Sequence, residues 1–285
     1  MDWFNRQNEI ITQAHEQLEN VWQNESNLRR IWGRLDELIT QRHLYNIHTI
    51  FKGKDYFKLI DIGCGDGKLL YYMKFHYRNA LLYGIEPNSA YFNAAKSILP
   101  NDISLDNIKH TEINEKYSKY FDVIICSEVI EHVDDYNSLI NTFNHILKDG
   151  GIISISTPSG WMYRRPRIIN LYRIIKNYQT FKRLYLNPEK HWKEAVNIHP
   201  GIFPRSLIGI LNHAGYELIS RQSALWLIYE QGIIYNIFKI IERKYKYYPA
   251  FIFENYIRFL ESIMNLFPFL RIFESRYILL MKKVR

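Results

Sequence analysis

One short segment limits what this chain can fold into more than any other: Leu59-Ile60-Asp61-Ile62-Gly63-Cys64-Gly65-Asp66-Gly67. An apolar run of strand length, 59–62, leads straight into three alternating glycines, and an amphipathic stretch, 68–78, follows them. Glycine lacks a Cβ, so such a loop can turn sharply and bring its backbone close to a ligand. The helix expected next points its free N–H groups at the loop. Strand, glycine loop and helix in this order predict the opening unit of a doubly wound α/β sheet. In such sheets ligands bind at the carboxyl ends of the strands.

The spacing also speaks to the ligand. A dinucleotide fingerprint reads Gly-x-Gly-x-x-Gly, whereas this loop reads Gly-x-Gly-x-Gly and is preceded by Asp61. An acid beside the loop repels a pyrophosphate and attracts a cationic amino-acid or sulfonium group. Glu86 stands at the next expected strand end, where its carboxylate can accept both hydroxyls of a ribose. A cationic nucleoside therefore suits the loop better than the cofactor of a nicotinamide-dependent oxidoreductase. A non-catalytic scaffold on the same fold would not need Asp61 and Glu86 together.

The alternation continues downstream. Apolar runs at 59–62, 81–85, 121–126 and 152–156 have the length of buried strands, and helical stretches at 68–78, 90–99 and 136–147 separate them. Leu139, Ile140, Phe143, Ile146 and Leu147 form one apolar stripe, and Gly150-Gly151 is expected to cap that helix. A helix at 204–214, a strand at 216–219 and a last strand at 277–281 complete the pattern. Residues 8–50 read as helices that Gly53 ends. The expected organisation is an N-terminal helical extension, 1–54, and one α/β domain, 55–285, interrupted at about 159–200 and 224–274. A hydrophobic content of 47% supports a sizeable core.

These residues resemble the class I S-adenosylmethionine-dependent methyltransferase family. Asp61–Gly67 is similar to its first motif and Glu86 to its ribose-binding acid. Phe121-Asp122-Val123-Ile124-Ile125-Cys126-Ser127 resembles its fourth strand, and Leu147-Lys148-Asp149-Gly150-Gly151-Ile152 its fifth. The resemblance implies a Rossmann-like, mostly parallel seven-stranded sheet flanked by helices, with S-adenosylmethionine as cofactor. It implies a cofactor-binding set of Asp61, Gly63, Cys64, Gly65, Gly67, Glu86, Pro87, Glu112, Ile113 and Ser127, with Glu112 and Ile113 near the adenine. It also places His199 near the acceptor pocket.

After the fourth expected strand come Glu128, Glu131 and His132. If this segment opens a helix, all three share one face. Two carboxylates and an imidazole so spaced could bind a divalent cation such as Mg²⁺. His132 could instead act as a general base, or the acids could favour the helix N-terminus. The segment is similar to ubiquinone-biosynthesis O-methyltransferases and to small-RNA 2′-O-methyltransferases. In the second resemblance His191 or His199 would complete a metal site. Glu128, Glu131, His132 and His199 are the catalytic candidates, and no metal ligand is assigned.

A net charge of +8 suits anionic partners. Residues 159–200 hold nine Lys or Arg and two Glu, interleaved with Trp161, Tyr163, Tyr185 and Trp192. Such a segment could grip a phosphorylated or carboxylated acceptor, or stack on nucleic-acid bases. Residues 224–274 alternate apolar stripes with Lys239, Arg243, Lys244 and Lys246. They could lie on anionic lipid, enter the core or form a dimer interface. Two cysteines, Cys64 and Cys126, make no disulfide framework. The polar N-terminus lacks a secretory stretch, which gives the expectation of a cytoplasmic protein with peripheral contact at the inner membrane surface. The expected activity is O-methylation of a small-molecule, glycan or lipid-linked acceptor, with RNA 2′-O-methylation as the rival.

Overall fold

A computed structural model describes residues 27–54, 56–133, 135–160, 201–226 and 274–284, with seven further positions between 259 and 271. A long helix, α1 (Asn27–Phe51), precedes the sheet. The alternation then runs β1 (Lys58–Ile62), α2 (Lys68–His76), β2 (Leu81–Ile85), α3 (Ser89–Ile98), β3 (Ser104–Asp106), β4 (Phe121–Ser127), α4 (Tyr136–Ile146) and β5 (Leu147–Pro158). Helix α5 (Pro204–His213), β6 (Tyr216–Trp226) and β7 (Glu274–Lys283) complete it.

All seven strands join one sheet in the order β3-β2-β1-β4-β5-β7-β6. Strands β1 to β5 are parallel, and β7 inserts antiparallel between β5 and β6. The order reverses between β1 and β4, so the carboxyl ends of these strands form the crevice that such sheets use for ligands.

Alternate residues of each central strand feed two cores. Leu59, Val123 and Ile125 pack with Leu44, Ile47 and Phe51 of α1 and Leu70 and Met73 of α2. Ile60, Ile62, Ile124 and Ile153 pack with Leu139, Ile140 and Phe143 of α4 and Leu207 and Leu211 of α5. Burial on both faces explains why the central runs are continuously apolar rather than alternating. Toward β5 and β6 the α1 contact turns polar. The fully buried His43 shares a 2.8 Å hydrogen bond between its Nδ1 and Ser154 Oγ. Asn46 Nδ2 also donates to Ser154 Oγ, and Gln222 Nε2 donates to Asn46 Oδ1. Burial pushes the His43 imidazole down to about 3, so it is neutral here.

Four sequence expectations change. Gly150-Gly151 does not cap α4, because the helix ends at Ile146 and β5 starts at Leu147. Gly150, with φ +75°, instead sits where the β4–β5 pairing slips between Phe121 and Val123. Strand β6 extends to Trp226 and β7 begins at Glu274, so both ends of the 224–274 insertion are strand. The segment holding Glu131 and His132 is a 3₁₀ turn, Ile130–His132, and the α-helix waits until Tyr136. Residues 8–26, most of the basic segment and the stripes at 227–258 lie outside the described residues. No described helix is long and apolar enough to cross a membrane.

Candidate functional site

The glycine loop wraps the end of β2. The N–H groups of Gly63 and Cys64 both donate to the Ile85 carbonyl, at 2.9 and 3.0 Å. The loop then crosses to Glu86, whose Oε2 accepts from Gly65 N and whose Oε1 accepts from Asn88 N, each at 2.9 Å. Asn88 in turn caps α3 through its side chain. Glu86 is thus buried and fixed by two backbone donors. Gly63 has φ +73°, and a Cβ there would meet Val129 Cγ2 at 2.5 Å, so both conformation and space demand glycine. Gly65, at φ +55°, has open space where its Cβ would stand. Gly67 is the left-handed N-cap of α2, so the helix N-terminus faces the loop.

Acid gathers around this open space. Asp61, at the end of β1, is 2% exposed, and among the described residues its Oδ1 has no hydrogen-bond partner. Burial, then the neighbouring Glu86 and Asp66 carboxylates, push its pKa up to about 8. A buried carboxyl with an unpaired oxygen, beside two like charges, gains from any cation placed near it. The side-chain set therefore fits a ligand that carries a sulfonium and an ammonium group. Cys64, beneath the loop, is buried, and burial together with Asp61 and Glu86 raises its thiol pKa. That makes it an inert packing residue. Pro87 is exposed between Glu86 and Asn88.

Across the switch point, the carboxyl ends of β4 and β5 carry a second polar group. Ser127 Oγ and Ser156 Oγ lie 3.1 Å apart. Glu128 follows in a left-handed conformation, φ +56°, with its N–H donating to the Ser156 carbonyl. Arg276 Nε of β7 donates to Glu128 Oε2. Glu131 is buried and accepts the Thr157 hydroxyl at 3.0 Å. Burial, then the Glu128 charge, hold its pKa well above the carboxylate range. His132 keeps surface exposure, and partial desolvation lowers its pKa against the opposing pull of Glu128. A neutral imidazole is the form that can accept a proton. The three residues do not share a helical face as the sequence suggested, because Glu128 precedes the 3₁₀ turn. Among the described residues no three His, Cys, Asp or Glu could together hold a metal ion. His191 and His199 lie outside the described residues.

The third strand is only three residues long, and the segment assigned to the adenine follows it as a 3₁₀ turn, His110–Glu112. Glu112 is exposed and closes its own 3₁₀ turn by accepting from Lys109 N at 2.8 Å. That turn packs on α4 through His110 and Thr142, with Ile113 half-buried beside it. Just after β3, Asn107 ties to the end of β2, its Nδ2 donating to the Glu86 carbonyl at 2.6 Å. Sequence reasoning also missed Glu274. It is fully buried at the start of β7 and accepts from Ser159, Ser223 and Arg221. Asn88, as a polar residue opening a helix, carried a readable capping signal. Arg276 and Glu274 carried none.

Comparison with known proteins follows the same lines. A methyltransferase-domain family matches residues 15–221. The chain is similar to the ubiquinone biosynthesis O-methyltransferase of Saccharophagus degradans, 37% identical over 164 residues, covering 56% of this chain and 64% of that protein. It is 32% identical over 103 residues to the Escherichia coli enzyme of that name, covering 35% and 42%. The matched region thus spans less than two thirds of these relatives. Two solved structures share the fold. One is a SAM dependent methyltransferase from Archaeoglobus fulgidus, with TM-score 0.51, 16% identity and coverage of 90% of this chain and all of that one. The other is phosphoethanolamine N-methyltransferase 2 from Haemonchus contortus in complex with S-adenosyl-L-methionine, with TM-score 0.52, 14% identity and coverage of 86% and 53%. From its matched family and its seven-stranded topology, the chain belongs to the methyltransferase-domain family and has the class I S-adenosylmethionine-dependent methyltransferase fold.

Proposed function

We propose that this chain is an S-adenosylmethionine-dependent O-methyltransferase acting on a small-molecule, glycan or lipid-linked acceptor. The observation that carries the cofactor assignment is the buried, unpaired Asp61 oxygen beside a Glu86 pinned by Gly65 and Asn88. Support for the oxygen acceptor comes from the O-methyltransferases the chain resembles.

In this reading Glu86 accepts the ribose hydroxyls and Asp61 faces the cationic amino-acid end. The cofactor, when bound, supplies a methyl group made electrophilic by its sulfonium. The chain's contribution is alignment and removal of water, with modest acid–base work. Neutral His132 takes the proton from the acceptor hydroxyl, and Glu131 and Thr157 fix the turn that carries it. The basic segment 159–200 and His199 are assigned to gripping an anionic acceptor, on the strength of their charge and position in the sequence.

Isothermal calorimetry of the purified chain with S-adenosylmethionine tests the cofactor. Binding by the wild type and its loss in Glu86→Ala are expected, and equal binding by both overturns the assignment. Incubation with methyl-labelled cofactor and a cell lysate, then separation of lipid, RNA and small-molecule fractions, tests the acceptor. Label in lipid or small molecules is expected, whereas label in RNA replaces this acceptor with a nucleic acid.

A further inference from the structure

Glu128 is one of two described non-glycine residues with positive φ, the other being Lys119 in an unrelated turn. An L-residue rarely holds this conformation unless its surroundings over-determine it. Two ties do so here: the Glu128 N–H to the Ser156 carbonyl, and the carboxylate to Arg276 Nε at 2.5 Å. The pair is sheltered, with side-chain exposures of 14% for Arg276 and 25% for Glu128, so water screens it less than a surface pair. Arg276 lies opposite Pro158 in the β5–β7 ladder. The contact therefore reaches from β7 past β5 to the turn that leaves β4. Val129, the next residue, fills the space that a Gly63 side chain would need. The conformation of Glu128 thus decides how Val129 meets the glycine loop.

We propose that Arg276 is a positioning residue for the cofactor loop. Its ion pair with Glu128 holds the turn after β4 in the left-handed conformation that seats Val129 on Gly63. The proposal rests on the reading that this loop holds S-adenosylmethionine. Arg276 itself need not touch the cofactor, and its effect passes through Glu128 and Val129.

The test is calorimetric titration of the full chain with S-adenosylmethionine, alongside thermal melts. Arg276→Met and Glu128→Ala should each weaken binding about tenfold, since each removes a restraint on a strained conformation. Arg276→Lys keeps the charge and should recover most of that loss. Glu128→Gly should bind within about threefold of wild type, because glycine adopts the conformation unaided. Adding Arg276→Met to Glu128→Gly should then cost nothing further, which a general packing role for Arg276 would not produce. Unchanged binding in Arg276→Met, or Glu128→Gly no better than Glu128→Ala, overturns the clamp while leaving the cofactor reading intact. Absence of binding by the wild type overturns the cofactor reading and the purpose assigned to the clamp with it.

Discussion

The two halves of the sheet's carboxyl edge are built in opposite ways. On the β1–β2 side the structure is mostly backbone: Gly63, Cys64, Gly65 and Asn88 donate main-chain N–H groups to Ile85 and Glu86, all within 26 residues of one another. On the β4–β5–β7–β6 side the contacts join side chains from distant parts of the chain. Glu128 meets Arg276 across 148 positions, and Ser159 meets Glu274 across 115. A backbone-built site reads a constant ligand and tolerates sequence change poorly at its glycines. A side-chain-built site can be reshaped one residue at a time.

Four measurements would break or sharpen this contrast. The largest effect is expected on the side-chain side. Glu274→Ala removes the fully buried partner of half-buried Arg221 and of Ser159 and Ser223, and should cost about 3–5 kcal/mol of stability, visible in a denaturant midpoint. Cofactor affinity of the folded fraction should survive that change, because the link proposed between the halves runs through Arg276 and Glu128. If it falls as well, more of this half than that pair supports the loop. Next comes Glu86→Ala, which leaves the Gly65 and Asn88 donors unpaired and removes the proposed ribose contact. Its effect on cofactor affinity should be about 2–4 kcal/mol, seen by calorimetry. Gly63→Ala follows, at about 1–3 kcal/mol in both melting and binding, because its Cβ would strike Val129 at φ +73°. A Gly63→Ala protein that binds normally would show that the loop has slack.

The smallest effect concerns pH. Asp61 has a folded-state pKa of about 8, against 3.8 for the ordinary carboxyl. The folded protein holds this proton where the unfolded chain has lost it. The resulting stability is complete below the ordinary value and is lost as pH rises through about 8. A cation bound beside Asp61 expels the proton. Affinity for S-adenosylmethionine should therefore rise between pH 7 and about 8, by at most ~1.4 kcal/mol. Calorimetry at neutral pH in buffers of different ionisation heat should show net proton release that Asp61→Asn abolishes. No release in the wild type would assign Asp61 a partner other than a cation.

The division also sets how much the sequence could reveal. Short-range order was legible. The apolar runs marked the central strands, the glycine spacing and Asp61 marked the loop, and Glu86 stood where β2 ends. The β3 strand was obscure because three residues, two of them exposed, are too short a run to mark a strand. The i, i+3 and i+4 spacing of Glu128, Glu131 and His132 suits a helix, but a left-handed residue and a 3₁₀ turn stand there. The competing influence is long-range: the pair with Arg276 stabilises a left-handed residue that local propensity disfavours. Glu274, Arg221, Gln222 and His43 gave no local signal for the same reason, since their partners lie far away in the chain. Gly150-Gly151 had the composition of a helix cap, yet it serves a slip in strand register.

The place of β7 has a consequence for the order of assembly. Among the described residues β6 hydrogen-bonds only to β7, which lies beyond residues 227–273 in the chain. During synthesis, β6 leaves the ribosome before β7 exists, and the β5 edge that β7 later covers stays open for the same interval. That half of the sheet must therefore close in a late, non-local step. Until it does, two unpaired strand edges are exposed to other chains.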